Sequence, residues 1–459
     1  MQPARLTSMV QMLCQAISGK HRFISLRAVT CRRNPRKSGY VLRLKISFRC
    51  RELVTFYSDV VEPVSYYQLV RQTIFRPLIC KISAMSNRRN FLKHAVSLTT
   101  AGSMGAMDSL FMGDHQNFVT KSFFGDAGMQ LSEAYFFGME AQRIAFARQM
   151  NVLGAVTGVS RMGDANPWDP KAIIANKEAW ERAGLKWNVV EGPPSLGEKT
   201  KLGLEGRDEE IEHFLTFMRN LKQYGGVEII CYNWMPVISW FRTKKDKPGR
   251  GGALVTAFDY EEIKQAAMTE YGEVSKETLW KNLEYFLKAV IPEAEKIGMK
   301  LAMHPDDPQV DSIKGIGRIM TTVDSFRRML DICPSPSNGI TFCQGNFSLM
   351  ENDIPRIIKE FGKRKAIHFV HFRNVRGGKF QFEETFHDEG QIDMYAAMKA
   401  YYDIGFRGPI RPDHTPTMFG DSNEHPGYSN IGILFALGYI RGLMEGVCKN
   451  KNKPSPLRP

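Results

Sequence analysis

Four short phrases in the last third of the chain hold side chains that can bind a metal: His304-Pro-Asp-Asp, Phe342-Cys343-Gln, His368-Phe-Val-His371-Phe-Arg373-Asn374 and Arg411-Pro-Asp413-His414. Each donor closes, or directly follows, a short apolar run, at 299–303, 339–342, 366–370 and 408–410. A lone His at such a place is more often a core residue than a ligand. Four donors at four run ends reverse those odds. His304, Cys343, His371 and Asp413 offer two imidazoles, a thiolate and a carboxylate. That mixed set suits Mn²⁺, Fe²⁺ or Zn²⁺; the thiolate favours the softer Fe²⁺ or Zn²⁺ and the carboxylate suits Mn²⁺. His368 and His371 are three apart on an extended segment and face opposite sides. His371 is nearer the carboxyl end and is the expected ligand, with His368 packed under a helix.

Proton-transfer groups stand beside these donors. His414 follows Asp413, so it is either an acid/base next to a metal-bound substrate or an orienting partner of a ligand. Tyr428, in Pro426-Gly427-Tyr428, is either catalytic or packed on the rim. Arg242, Arg373 and Arg411 follow or end apolar runs, and Arg binds carboxylates bidentately. Asp306 and Asp307 hold either sugar hydroxyls or those Arg side chains.

The elements that must position these groups are strands alternating with helices. Apolar runs predict strands at 152–157, 186–191, 227–232, 299–304, 339–343, 366–371 and 408–411, with an eighth at 118–124. Helical periodicity occupies 133–149, 207–224, 275–297, 393–402 and 431–446. This alternation predicts a parallel sheet. Ligands converging from the carboxyl ends of its strands predict a (β/α)₈ TIM barrel over 118–448. The long connection at 239–274, rich in Lys, Gly and Arg, is either a lid on the catalytic face or a solvated loop.

Charge separates the amino-terminal part from the barrel. The 459 residues carry a formal charge of +14, but residues 1–84 hold 15 Lys and Arg against 3 Asp and Glu. The other 375 residues hold 47 against 45, so the globular part shows no basic stripe for nucleic acid. Residues 1–84 show no clear period and are expected to be a disordered appendage or, with Met85 as the true start, an upstream translation artefact. Met85-Ser-Asn-Arg88-Arg89-Asn-Phe91-Leu92-Lys93, followed by a weakly apolar stretch at 95–107, makes residues 85–115 resemble a twin-arginine export signal. It predicts an exported, periplasmic protein; a basic amino-terminal helix on a cytoplasmic enzyme is the alternative. No stretch is expected to be long and apolar enough to span a bilayer, and no stable membrane insertion is expected. The four Cys after Met85 (Cys231, Cys333, Cys343 and Cys448) lack CxxC spacing, which argues against a structural zinc site. The tail at 449–459 is expected to be disordered.

Taken together, Cys231-Tyr-Asn233-Trp-Met-Pro-Val, Leu301-Ala-Met-His304-Pro-Asp-Asp, Asn338-Gly-Ile-Thr-Phe-Cys343-Gln-Gly, Ile367-His-Phe-Val-His371-Phe-Arg-Asn and Pro409-Ile-Arg-Pro-Asp413-His414 resemble the signature blocks of the mannonate dehydratases. The resemblance spans residues 130–446. It implies a xylose-isomerase-like barrel that removes water from D-mannonate, giving 2-dehydro-3-deoxy-D-gluconate, with Mn²⁺ or Fe²⁺. The family's metal ligands fall on His304, Cys343, His371 and Asp413, and its acid/base pair on His414 and Tyr428. Arg373, Asn374, Arg411, Asp306 and Asn233 are expected at the substrate, and a homo-oligomer is expected. Two departures touch substrate contacts: Ser239 stands where the family often has Asp, and Thr415-Pro416 where it commonly has Gly-Arg. The rival readings are a metal-dependent sugar isomerase or epimerase, which usually has a carboxylate-rich ligand set, and a non-catalytic barrel that binds a sugar acid.

Overall fold

The computed structural model describes residues 24–33, 40–49, 53–61, 128–160 and 163–449. The chain divides into two compact units, Met1–Val119 and Thr120–Pro459. In the first, strands Ile24–Arg33, Tyr40–Arg49 and Leu53–Val61 form an antiparallel sheet in sequential order. This corrects the expectation that residues 1–84 lack a period. Leu42, Leu44, Ile46 and Phe48 alternate with Arg43, Lys45, Ser47 and Arg49, which is the two-residue repeat of a strand. The twin-arginine-like segment, the strand expected at 118–124 and the tail beyond 449 lie outside the described residues.

The second unit is a closed barrel of eight parallel strands: β1 (Gln130–Ala134), β2 (Gly154–Thr157), β3 (Lys186–Glu191), β4 (Ile229–Tyr232), β5 (Lys300–Met303), β6 (Asn338–Cys343), β7 (Ile367–Phe372) and β8 (Pro409–Pro412). They pair in sequence order, and β8 closes on β1. A helix follows each strand: α1 (Ala141–Gln149), α2 (Pro170–Arg182), α3 (Arg207–Asn220), α4 (Lys276–Ile297), α5 (Val323–Ile332), α6 (Ile354–Lys363), α7 (Met394–Asp403) and α8 (Asn430–Lys449). In place of a single helix over 133–149, the chain forms β1 and then α1. Glu133 and Ala134 belong to the strand.

Helix α4 shows how sequence sets these outer elements. Ser275 caps it by accepting the Thr278 N–H, and Gly298 ends it at a φ of 68°. Leu279, Leu283, Phe286, Leu287, Val290, Ile291 and Ala294 recur at three- and four-residue steps and are all buried. Truncating fully enclosed Phe286 to Ala would cost about 3–5 kcal/mol. The closing helix α8 corrects the expectation of no segment apolar enough for a bilayer. Its 20 residues pass that test by length and composition. Its apolar face is already used, because Ile433 and Leu437 pack on Ala147 and Val152.

Inside the barrel, Val156, Val189, Ile229, Cys231, Ala302 and Phe369 form a separate cluster. Side chains alternate across a strand, so every second residue after these also points inward. That rule leads from Ala302 to His304 and from Phe369 to His371. The ladder pairs Thr341 with Phe369, Cys343 with His371, and His371 with Arg411. Residues paired in a parallel ladder share a face, so Cys343, His371 and Arg411 form one inward layer, with Asp413 two residues beyond Arg411.

The long connection after β4 is structured. It supplies strands Lys244–Pro248 and Leu254–Asp259 to a four-stranded sheet completed by Val375–Gly378 and Gln381–Glu384, the excursion after β7. Phe258, Val375 and Phe382 give this sheet a small core with Val310 and Ile313.

Candidate active site

The donor atoms of His304, Cys343, His371 and Asp413 all lie within 4.8 Å of one another. His304 Nε2 is 3.2 Å from His371 Nδ1. Asp413 Oδ2 is 3.5 Å from His371 Nδ1 and 3.7 Å from Cys343 Sγ. Ligands about 2.0–2.3 Å from one ion stand up to roughly 4.5 Å apart. The separations of 3.2, 3.5 and 3.7 Å fall inside that limit, so the set fits a divalent metal.

Neighbouring groups prepare these donors. His304 Nδ1 lies 2.7 Å from the Pro305 carbonyl, which only accepts, so Nδ1 donates and Nε2 keeps its lone pair for the cluster. His371 Nε2 lies 3.3 Å from a Glu191 carboxylate oxygen, which leaves Nδ1 facing the cluster. Burial alone would raise the Glu191 carboxyl, but the Arg411 guanidinium and His371 hold it down at about 2. Burial would likewise raise the Cys343 thiol. The Arg373 guanidinium, 3.5 Å away, and hydrogen bonds with His304 and His371 bring it down to about 6. The thiolate is the form that binds metal. His368 is buried away from the cluster, with Nδ1 3.3 Å from the Leu301 carbonyl.

Three of the four donors open onto a cavity of about 270 Å³, and Cys343 lies behind them. His304, His371 and Asp413 line it, together with His414, Tyr428, Asn233, Arg411, Glu191 and Trp240. Tyr428 donates its hydroxyl proton to Asp413 Oδ1 at 3.0 Å. Burial and the Asp413 charge hold that phenol well above its usual range. His414 turns the chain after β8 with a φ of 45°. For a side chain other than glycine, that conformation costs about 1–3 kcal/mol. Thr415 N–H bonds the Gly427 carbonyl at 2.8 Å and holds the turn. A Cβ at Gly427, whose φ is +90°, would touch the His414 ring. Trp240 and Tyr428 stand edge-on to that ring at 5.2 and 5.3 Å.

A fully buried charged layer lies behind the wall. Arg242 holds Asp307 with two hydrogen bonds of 2.6 and 3.0 Å and Glu384 with one of 2.6 Å. Arg373 bonds Glu384, Asp307 and Asn346. Both guanidinium groups are therefore committed to protein carboxylates. Asp307 takes the Arg-holding alternative, although it also borders the cavity. Removing one member of such a buried pair costs about 3–5 kcal/mol.

The residues expected at the substrate thus separate. Asn233 and Arg411 reach the cavity wall. Asn233 accepts from Lys201 Nζ at 3.3 Å, and Arg411 is anchored by Glu191 and Asp413. Arg373, Asn374 and Asp306 do not line the cavity. Arg373 is occupied by its ion pairs. Asn374 bonds the backbone of His387, Val375 and Ile392, and Asp306 accepts the Met320 N–H at 3.0 Å. Sequence reasoning missed Glu191, Trp240 and Glu384. Glu191 carried the same signal as the four donors, a metal-capable side chain closing an apolar strand. Nothing local marks Glu384.

The family model of D-mannonate dehydratase (UxuA) matches residues 129–270 and 261–454. Mannonate dehydratase 2 of Halalkalibacterium halodurans is 34% identical over 348 residues, 70% of this chain and 99% of that protein. The mannonate dehydratase of Thermotoga maritima is 38% identical over 321 residues, 62% of this chain and 88% of its own. The crystal structure of mannonate dehydratase from Streptococcus suis serotype 2 aligns with a TM-score of 0.64 at 33% identity, over 71% of this chain and 95% of that one.

Proposed function

The chain belongs to the D-mannonate dehydratase family, and on that premise we propose that its cavity binds D-mannonate beside Mn²⁺ or Fe²⁺ held by His304, Cys343, His371 and Asp413. The activity is that of a metal-dependent hydro-lyase, mannonate dehydratase. The observation that carries the site assignment is the convergence of four donor atoms within 4.8 Å, beside two proton-transfer groups on one wall.

A proton next to a carboxylate is weakly acidic, and hydroxide leaves poorly. Both problems call for placed proton carriers. His414 is the base: the C2–H bond breaks and its proton passes to His414 Nε2. The electron pair becomes the C2=C3 bond as the C3–O bond breaks. Tyr428, already a hydrogen-bond donor in this site, is the acid that turns the departing hydroxide into water. The resulting enol tautomerises to the 2-keto acid. A bound divalent metal supplies Lewis-acid stabilisation of the charge that builds on the sugar-acid carboxylate. Arg411 and Asn233, which line the cavity, are the side chains assigned to the sugar acid's carboxylate and hydroxyls.

Incubating metal-loaded protein with D-mannonate tests this reading. Formation of 2-dehydro-3-deoxy-D-gluconate is expected. An isomerised sugar acid would favour the epimerase reading, and binding without turnover the non-catalytic one. Export by the twin-arginine route belongs to the same proposal and rests on Arg88, Arg89, Phe91, Leu92 and Lys93. Replacing Arg88 and Arg89 with Lys should retain a fused reporter in the cytoplasm. A wild-type fusion found only in the cytoplasm contradicts export.

A further inference from the structure

Glu384 reaches the active site from the excursion after β7, not from a barrel strand end. It is 2% exposed, and its Oε1 lies 3.0 Å from His414 Nδ1. The same carboxylate accepts from Arg242 and Arg373. Burial would raise its pKa, yet Arg373, His414 and Arg242 hold it at about 2. An ionised carboxylate can only accept, so the proton between the two groups sits on His414 Nδ1. The ring's other contacts are weakly directional: Trp240 and Tyr428 touch it edge-on, and Asp413 Oδ1 is 3.6 Å from Nε2, beyond hydrogen-bond distance.

We propose that Glu384 is the positioning residue of His414, anchoring Nδ1–H so that Nε2 is the nitrogen that exchanges a proton with the substrate. This rests on the reading of His414 as the base. The arrangement serves both stages of that step. Before proton transfer it selects the tautomer with a free Nε2. After transfer the imidazolium keeps a charge-assisted hydrogen bond to Glu384. Arg242 and Arg373 act through Glu384 by holding its carboxylate in place. The sheet built from the long connection after β4 thereby becomes part of the catalytic scaffold, because Gln381–Glu383 pair with Ala257–Asp259.

The test is steady-state turnover of D-mannonate by metal-loaded Glu384→Gln, with bound metal measured in the same samples. Metal content should be unchanged and KM should stay within about threefold. kcat should fall about 10–100-fold, the usual cost of removing the partner that orients a working imidazole. Adding Glu384→Gln to His414→Asn should cause no further loss. A folded, metal-replete Glu384→Gln enzyme with wild-type kcat overturns the inference, as does an equal additional loss in the His414→Asn background. If Glu384→Gln does not fold, Glu384→Asp keeps the charge between the two guanidinium groups and withdraws the carboxylate by one methylene. The same kcat-selective loss is then expected, and wild-type kcat overturns the inference. His414→Asn turning over at the wild-type rate would remove the reading of His414 itself. An impaired His414→Asn beside an unimpaired Glu384→Gln would remove only the positioning role.

Discussion

The four donors at the ends of β5–β8 and the four-stranded sheet beside the same cavity meet at His414, but different constraints build them. The donor ring follows from one chain's local geometry. Each strand alternates its side chains, the ladder sets Cys343 level with His371, and parallel strands all end on one face. The sheet joins two excursions more than a hundred residues apart, so that Arg242 and Glu384 form an ion pair in a fully buried layer. The ring is a matter of period, whereas the sheet is a matter of pairing. A reaction centre can therefore have ligands set by strand alternation and a proton carrier set by distant contacts.

The first way to break the comparison is Cys343→Ser. If the ring alone holds the metal, this variant stays folded, loses most bound Mn²⁺ or Fe²⁺, and loses turnover with it. Full occupancy by elemental analysis would remove Cys343 as a principal ligand. Arg242→Met should do the opposite. Metal should remain, while stability falls by about 3–5 kcal/mol because Asp307 and Glu384 lose a buried partner. Denaturant unfolding measures this, and an unchanged midpoint would mean that the sheet's charged layer is not structural. His414, where the two regions meet, should be needed for turnover and not for metal. His414→Asn should keep its metal and lose at least ~10² in kcat.

Two smaller effects sharpen the contrast. Lys244 lies on the sheet's outer strand, more than half exposed, and pairs with Glu262 at 3.5 Å. Lys244→Ala should change stability by less than about 1 kcal/mol and leave kcat unaltered. A large loss would show that the sheet acts as one unit and not through its buried residues alone. A chain beginning at residue 115 should fold and turn over D-mannonate as the full chain does. Insolubility of the shorter chain beside an active full chain would give the amino-terminal unit a role in the barrel.

Legibility in the sequence follows the same division. Seven barrel strands are readable as apolar runs, and His304, Cys343, His371 and Asp413 as the donors that close four of them. Strand β1 is not readable, because Gln130-Leu-Ser-Glu-Ala134 is short, half polar and runs toward a helix. The alternation at Leu42–Phe48 is present but obscured by the basic composition around it. Asp306, Asp307 and Arg373 are charged and adjacent to donors, which suggests substrate contact. Burial instead commits Asp307 and Arg373 to each other and Asp306 to backbone. Glu384 and Trp240 reach His414 only through tertiary contacts, which no local period encodes.

The most direct test of the central claim is turnover of D-mannonate as a function of bound metal. The protein would be stripped with a chelator and reloaded stepwise with Mn²⁺ or Fe²⁺. Formation of 2-dehydro-3-deoxy-D-gluconate should be absent from stripped wild-type protein and rise in proportion to the metal bound. The Cys343→Ser variant should recover neither metal nor turnover. Undiminished turnover by fully stripped protein, or none by fully loaded protein, would contradict the account.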